Sequence, residues 1–391
     1  MNKHNSVPNI RFNGFEDKWK KEKLNQIVKK VTRKNSKLQT SLSLTISAEY
    51  GIINQNLFFN RQIASRDMSN YFLIKQGEFA YNKSYSKSAP FGTIKRLNRY
   101  NQGALSSLYI VFCPTKVNSD YLVSYFNSSY WYKQLSMIST EGVRNHGLLN
   151  VSPNDFFDMN LSIPYDDKEQ QKIGNFFTKL DKLLDLQQQK IDKLELLKKA
   201  LLQKLFPKHD AKIPELRFKG FEDVWESMKF KNILNYERPD KYIVKSDNYS
   251  NNGIPVLTAN KSFILGYTQE SSFYEKPLPI IIFDDFTLDC KLVKFPFKIK
   301  SSAIKILSSN NFSDIWFDFY LLKATSFIKE GHARHYISIV QNKKINVPCE
   351  QEQQKIGNLL SKVDQLIELE NKKLQNFQQV KKCLLQNMFV E

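Results

Sequence analysis

The feature that most constrains the fold is an internal duplication. The heptapeptide EQQKIGN occurs at residues 169–175 and returns 183 positions later. The match extends without gaps over residues 169–206 and 352–389, and roughly half of the aligned positions are identical. A second block precedes each copy, RFNGFEDKW at 11–19 and RFKGFEDVW at 217–225. Because the stretches between the blocks are unlike each other, the sequence predicts one architecture, built twice, that presents two different surfaces.

Each copy of the longer repeat is predicted to form one long helix. No proline lies within it, acidic residues stand at its start, and lysines dominate its later turns, as the helix dipole favours. Apolar residues recur at steps of four and three, which is the heptad pattern of a coiled coil. The predicted interface comprises Leu180, Leu184, Gln187, Ile191, Leu194, Lys198 and Leu201 of the first copy and Val363, Ile367, Glu370, Leu374, Phe377, Lys381 and Leu384 of the second.

Polar interruptions of this heptad seam predict the orientation of the pair. In a parallel pair Lys198 would face Lys381, a like-charge contact that costs energy where water is partly excluded. An antiparallel pair places Lys198 opposite Glu370 and Gln187 opposite Lys381 instead. We therefore expect an antiparallel two-helix coiled coil, about 57 Å long if the whole repeat is helical. The alternative is that each helix packs only on its own globular domain.

Two variable stretches, residues 26–165 and 232–348, contain short β-rich runs separated by Gly and Asn. Together with the helices they predict an α/β (α+β) protein, in which two globular mixed-sheet domains are joined by the helical pair. The expected boundaries are 1–165 for the first domain, 166–206 for its helix, 207–212 for a linker, 213–348 for the second domain and 349–391 for the second helix.

The charge of the chain favours a polyanionic partner. Its 58 Lys and Arg against 39 Asp and Glu give a net charge of +19, which makes nucleic acid the leading candidate. In the variable stretches, basic residues alternate with aromatic and small polar residues, as phosphate and base-edge contacts require. The alternative for any one of them is a solvated lysine on a strand face. The candidate DNA-binding residues are Lys83, Lys87, Lys95, Arg96, Arg99, Arg144 and His146 in the first stretch and Lys261, Lys298, Lys300, Arg334 and His335 in the second.

The sequence contains little evidence of a catalytic or metal-binding motif. GxGxxG and HExxH are both absent. Asp284 with Asp289, Cys290 and Lys291 resembles the acidic pair plus lysine of metal-dependent nucleases, but the gap is short and the first domain lacks an equivalent. His332 and His335 have no third ligand nearby in the sequence. We expect neither a catalytic centre nor a metal site.

Cysteine usage and hydropathy indicate the compartment. The four cysteines are widely separated and match neither a CxxC motif nor a disulfide framework. The N-terminal residues have no signal-peptide core, and the longest apolar runs are too short to span a bilayer. These features predict a cytoplasmic protein with reduced cysteines.

Two divergent domains, each followed by a long helix that opens with EQQKIG after a Pro-containing turn, resemble the specificity subunit of type I restriction-modification systems. The resemblance covers essentially the whole chain. It implies that each variable domain is a target recognition domain reading one half of a split double-stranded DNA site. It further implies that the helices form a spacer and dock two modification (methyltransferase) subunits. Specific base contacts do not carry over, because these domains diverge between members.

The resemblance also implies that the chain is non-catalytic and binds no cofactor. S-adenosylmethionine is then expected on the modification subunits, and ATP and Mg on the partner subunits, including the restriction (ATP-dependent translocase and nuclease) subunits. An alternative from another class is a structural or RNA-associated coiled-coil scaffold. Equal affinity for RNA and for duplex DNA of any sequence would favour the scaffold.

Overall fold

The computed structural model describes residues 7–61, 63–65, 67–87, 89–139, 149–208, 211–259, 262–328 and 335–390. The chain divides into two compact units. The first comprises Met1–Gln187 with Lys373–Glu391, and the second comprises Gln188–Lys372. Each unit therefore includes a part of both long repeats.

The first unit is built from ten short strands and several helices within its described residues. Its strands are β1 (Lys20–Lys23), β2 (Val28–Lys30), β3 (Ser43–Ser47), β4 (Gly51–Asn54), β5 (Phe72–Lys75), β6 (Phe79–Asn82), β7 (Thr93–Arg96), β8 (Gln102–Leu105), β9 (Ile110–Pro114) and β10 (Asn160–Ile163). Its helices are α1 (Leu24–Ile27), α2 (Gln55–Phe59), α3 (Ser119–Asn127), α4 (Tyr130–Ile138), α5 (Pro153–Phe157) and the start of α6 (Asp167–Lys204). The strands form an antiparallel β1–β10 pair, a sheet of order β2-β9-β6-β7 and a sheet of order β4-β3-β8-β5, in which β3 and β8 run parallel.

The second unit repeats this plan. Its strands are β11 (Glu226–Lys229), β12 (Leu234–Glu237), β13 (Ile254–Leu257), β14 (Ile264–Thr268), β15 (Ile280–Asp284), β16 (Cys290–Val293), β17 (Lys298–Ile299), β18 (Ile304–Ser309) and β19 (Lys344–Val347). Its helices are α7 (Ile315–Ala324), α8 (His335–Ser338) and the start of α9 (Glu350–Asn387), with 3-10 turns at Phe230–Asn232, Asp240–Tyr242 and Val340–Asn342.

The sheets show that the duplication includes the variable stretches. The order β12-β18-β15-β16 reproduces β2-β9-β6-β7, and the β11–β19 pair reproduces β1–β10. The order β14-β13-β17 reproduces β4-β3-β8, with no counterpart of β5 among the described residues. β13 and β17 are parallel, as β3 and β8 are. The predicted pair of mixed-sheet domains is confirmed, and both have one topology in spite of their unlike sequences.

Each unit's core is closed by the end of the long helix from the other repeat. In the first unit, the ring of Phe389, just after α9, lies 6.3 Å from that of Trp19 and 5.9 Å from that of Phe177. In the second, Phe206, just after α6, lies 6.5 Å from Trp225. The aromatic residues of the RFxGFEDxW blocks therefore anchor these helix ends.

Helices α6 and α9 are each 38 residues long and pack against each other in both units. In the first unit, Asp181 pairs with Lys381 at 2.5 Å. In the second, Lys190 pairs with Glu370 at 2.5 Å and Lys198 with Asp364 at 2.6 Å. Within the second unit the partner's number falls as the α6 number rises, so the helices run antiparallel there, as predicted. All of the predicted interface residues are buried or half-buried.

The predicted pairing of the polar seam residues is wrong. Lys198 pairs with Asp364 instead of Glu370, and Lys381 pairs with Asp181 instead of Gln187. The prediction considered only residues within the seam, whereas both aspartates lie one position beside it. The flexible lysine side chains reach sideways to these half-buried carboxylates, where the charges keep part of their hydration.

No helix among the described residues is both long and apolar enough to cross a membrane.

Candidate nucleic-acid interface and its helical frame

The first residue of the repeated heptapeptide joins each long helix to its globular domain through a buried ion pair. Arg11 donates from Nε and Nη2 to the two carboxylate oxygens of Glu169, at 2.7 and 2.8 Å. Arg217 forms the same bidentate pair with Glu352, at 2.8 Å for both bonds. Both carboxylates are almost completely buried. Each arginine thus links an RFxGFEDxW block to the start of a long helix.

The second residue of the heptapeptide, a glutamine, ties the long helix to a neighbouring helix. Gln170 accepts from the backbone N–H of Asn118, the N-cap of α3, at 3.0 Å and donates to the carbonyl of Pro164 at 3.2 Å. Gln353 accepts from the N–H of Asp314, the N-cap of α7, at 3.1 Å. These buried amides satisfy backbone groups at a helix start that would otherwise lack partners.

The glycine of the heptapeptide allows close backbone contact. A Cβ at Gly174 would lie 2.6 Å from the backbone nitrogen of Tyr121, and one at Gly357 would lie 2.9 Å from that of Phe317. The repeated letters are therefore explained by one joint, formed twice, between a long helix and α3 or α7. This joint positions the variable surfaces but carries no chemistry of its own.

In the first unit, the candidate DNA-binding residues divide into engaged and exposed side chains. Lys95 donates to Asn127 at 2.9 Å, and burial, together with nearby Lys381, lowers its pKa. Arg96 pairs with Asp120 at 2.7 Å. Lys83 donates to the carbonyl of Val151 at 3.4 Å. Lys87 and Arg99 are exposed, and these are the candidates that the structure presents most openly to solvent.

In the second unit, the candidates are mostly directed inward. Lys298 is buried and pairs with Glu270 at 2.8 Å. His335 is also buried, and its Nδ1 lies 2.7 Å from the carbonyl oxygen of Asp285. Lys300 is about one-third exposed and bonded to Asp247. Arg144, His146, Lys261 and Arg334, together with His332, lie outside the described residues.

Positive charge is concentrated in the first variable stretch. Residues 29–100 hold thirteen Lys or Arg and three Asp or Glu, so this part of the chain carries about half of the net charge of +19. A local excess of this size raises the concentration of a polyanion at the surface and increases its association rate. The first unit is therefore the more strongly cationic candidate for nucleic-acid contact.

The sequence that resembles a nuclease forms a β-hairpin turn. Asp284 Oδ1 accepts from the backbone N–H groups of Phe286 and Thr287, both at 2.9 Å, and its carboxylate caps the turn between β15 and β16. Asp289 is exposed beyond the turn, whereas burial raises the pKa of Cys290 to about 11. In the part of the chain that the structure describes, no group of three or more His, Cys, Asp or Glu is arranged to hold a metal ion.

Two exposed apolar surfaces were not predicted from the sequence. The first is on the long helices, where Leu183 and Leu186 of α6 are exposed, as are Leu366 and Leu369 at the equivalent positions of α9. The second is the aromatic tip, defined as Tyr50, Leu57, Phe58 and Phe59 of the first unit. In the sequence, the leucines can be recognised as apolar positions outside the heptad seam. The tip can be recognised as the run LFF between the polar residues NQN and NRQ.

Comparison with known proteins identifies the family signature in both halves of the chain. Residues 16–196 and 222–379 match the family model described as type I restriction modification DNA specificity domain. The specificity subunit of the Escherichia coli type I restriction enzyme EcoR124I/EcoR124II is 38% identical over 156 residues, which are 38% of this chain and 38% of that protein. The putative MjaX specificity subunit of Methanocaldococcus jannaschii is 25% identical over 251 residues, 58% of this chain and 57% of that protein. The matches thus span less than two thirds of these relatives.

Solved structures share the fold at low sequence identity. The S subunit of a type I restriction-modification system from M. genitalium superposes with a TM-score of 0.64 and 15% identity, covering 98% of this chain and 99% of that one. A chain from a structure of the type I R-M system, described for its complex assembly and conformational transition, gives a TM-score of 0.53 at 14% identity and covers 96% of this chain and 98% of that one. These likenesses establish the architecture.

Proposed function

The chain belongs to the type I restriction modification DNA specificity domain family, and we propose on this basis that it is the specificity subunit of a type I restriction-modification complex. In this proposal it binds double-stranded DNA, selects the sequence to be modified and catalyses no reaction itself. Methyl transfer, with S-adenosylmethionine, belongs to modification subunits, and ATP-driven translocation and cleavage belong to restriction subunits. The complex works on DNA in the cytoplasm.

The observation that carries the proposal is one topology built twice with different surface residues. Apart from β5, which has no counterpart among the described residues of the second unit, the strands of the two units follow the same sheet orders, and both units close their cores with the same repeated helix ends. Two domains that share a topology but differ in their surface residues are suited to a split target, in which each unit reads one half-site. The phosphate contacts supply affinity through counterion release, and base contacts supply specificity.

The long helices are proposed to set the number of unread base pairs between the half-sites. A helix of 38 residues is about 57 Å long at about 1.5 Å per residue. Successive major-groove faces on one side of a duplex repeat about every 34 Å. An antiparallel pair of this length is therefore long enough to separate two reading domains by more than one turn of DNA.

The exposed leucines of the long helices are proposed to dock the modification subunits. Leu183 precedes the seam residue Leu184, and Leu366 precedes the seam residue Ile367, so each sits beside the seam on its own helix. In each unit the other helix adds an exposed apolar residue of the same heptad position, Val380 in the first and Leu197 in the second. Leu183 and Leu186, like Leu366 and Leu369, are three positions apart and so lie on one helix face. Exposed apolar groups that lie together mark interaction surfaces. Two equivalent patches fit two copies of one partner.

Methylome sequencing tests the proposal. Cells that express this chain with its modification subunits should carry a methylated motif made of two short half-sites and an unread spacer of fixed length, and cells that lack the chain should not. Exchange of residues 26–165 for the first domain of another family member should change one half-site only. A methylation pattern that does not depend on the chain, or equal binding to RNA and to unrelated duplexes at near-physiological salt, would contradict the proposal.

A further inference from the structure

The aromatic tip of the first unit is an exposed apolar surface in an otherwise polar segment. Leu57 is 78% exposed, Tyr50 50%, and Phe58 and Phe59 43% each. The ring of Phe58 lies 6.4 Å from that of Tyr50 and 4.8 Å from that of Phe59, both edge to face. Solitary exposed apolar residues are ordinary, but a contiguous group of four indicates a binding surface.

Local hydrogen bonds hold the tip in one conformation. Asn54 Oδ1 accepts from the backbone N–H groups of Asn56 and Leu57, at 2.9 and 3.4 Å, and so caps α2. Asn60 ends the helix in the left-handed region at a φ of 50°. Ser47 Oγ accepts from the N–H of Tyr50 at 3.2 Å. Because the apolar side chains are presented by a preformed turn, binding would require little further ordering of the backbone.

The second unit has no counterpart of the tip among its described residues. β14 takes the place of β4 in the sheet, and its Ile264 and Leu265 are exposed, but the described residues 269–279 that follow it contain no helix and no exposed large apolar side chain. The exposed leucines of α6 and α9, by contrast, occur in both units. A partner that binds in two copies needs an equivalent surface on each unit. A surface found in one unit alone is better suited to reading DNA sequence, because the two units are proposed to read different half-sites.

The charge around the tip favours DNA over a protein partner. The tip lies within residues 29–100, where thirteen Lys or Arg stand against three acidic residues. Gly51, next to Tyr50, lines one cavity together with Lys95 and Arg96, whose side chains are bonded to Asn127 and Asp120. Arg61, two residues after Phe59, is exposed. An apolar group that emerges from a cationic surface can approach bases while the surrounding cations lie near phosphates.

We propose that the aromatic tip makes apolar contact with the bases of the half-site that the first unit reads. Duplex DNA offers such contact at thymine methyl groups in the major groove and at base steps that open to an inserted side chain. The tip then contributes specificity to one half-site and nothing to the other. This inference rests on the proposed function and adds to it the residues that read bases in the first unit.

The test is a binding selection with the full chain in complex with its modification subunits. The probe is a pool of 40-bp duplexes of random sequence, and the bound fraction is sequenced for the wild type and for the L57S/F58S variant. We expect discrimination to fall about tenfold at one or two positions of a single half-site, the size of one lost base contact. The other half-site should be unchanged. The slope of log affinity against log salt should also be unchanged, because no phosphate contact is lost.

Leu108 provides the matched control, because it is a 63% exposed leucine of the same unit outside the tip. L108S should leave the selected sequences unaltered, and thermal unfolding should show that all variants fold. Placing 2-aminopurine at an adenine of the affected step, with its paired thymine kept, separates the two modes, since its fluorescence rises only if the step is opened.

Three results would overturn the inference. Unchanged selection at both half-sites would show that the tip does not read bases. A shallower salt slope would assign the effect to lost phosphate contacts. Loss of the co-purifying subunits with an unaltered target would identify the tip as a protein-docking surface. If the wild type itself selects no split motif, the proposed function fails, and the role of the tip fails with it.

Discussion

Removing the charge of Arg11 tests whether the repeated heptapeptide is a structural joint. The side chain of Glu169 is 1% exposed and receives two hydrogen bonds from this guanidinium. Arg11→Met keeps much of the apolar stem but leaves a buried carboxylate without its partner, at a cost of about 3–5 kcal/mol. For a unit of this size, Tm falls by about 2–4 °C per kcal/mol, so we expect a decrease of roughly 6–20 °C.

Calorimetry with hydrogen exchange would measure this decrease and locate it. R11M should destabilise the first unit, and the matched R217M, which breaks the pair with Glu352, should destabilise the second. In the double variant R11M/E169L an apolar pair replaces the ion pair, and most of the lost stability should return, because no buried charge remains. A change in Tm below about 2 °C in R11M, or a double variant no more stable than the single one, would refute this account of the joint.

Three further predictions concern the glycine of the joint, a buried carboxyl group and the exposed leucines. Gly174→Ala places a methyl group against the backbone of α3 and should cost about 1–3 kcal/mol; calorimetry should show the same loss for Gly357→Ala, and alanine at exposed Asn175 is the control. Burial raises the pKa of Asp318 from 3.8 to about 7, so the folded second unit retains a proton that the unfolded chain releases. The contribution of this group to stability should therefore fall as pH rises from about 4 to about 7, and Asp318→Asn should remove this component from the pH profile of Tm. Aspartate at both Leu183 and Leu186 should reduce co-purification of modification subunits to about one per chain, as assessed by mass photometry, without changing Tm by more than about 2 °C.

The sequence predicted the frame because the frame depends on periodicity and charge sign. The heptad spacing identified α6 and α9, and the repulsion between Lys198 and Lys381 indicated the antiparallel orientation. The ion-pair partners were missed, because Asp181 and Asp364 lie outside the seam, where no pattern marks them. The bond between Arg11 and Glu169 joins residues 158 positions apart and leaves no periodic signal.

The candidate interface was less predictable, because composition does not specify which way a side chain points. Lys298 and His335 look like surface groups in the sequence but are buried, and Arg96 is committed to Asp120. Strand alternation alone does not identify the solvent face when both faces of a sheet are covered. The reverse holds for the aromatic tip. Its apolar residues would be expected in the core from the sequence, but the short capped turn exposes them.

A change in helix length tests the central claim most directly. Seven residues inserted after Gln187 in α6 and seven after Lys372 in α9 would preserve the heptad seam and lengthen the pair by about 10 Å. Methylome sequencing should then find both half-sites unchanged and the spacer longer by about three base pairs, at about 3.4 Å each. An unaltered spacer in a folded, active complex would contradict the claim that the paired helices set the distance between two reading domains.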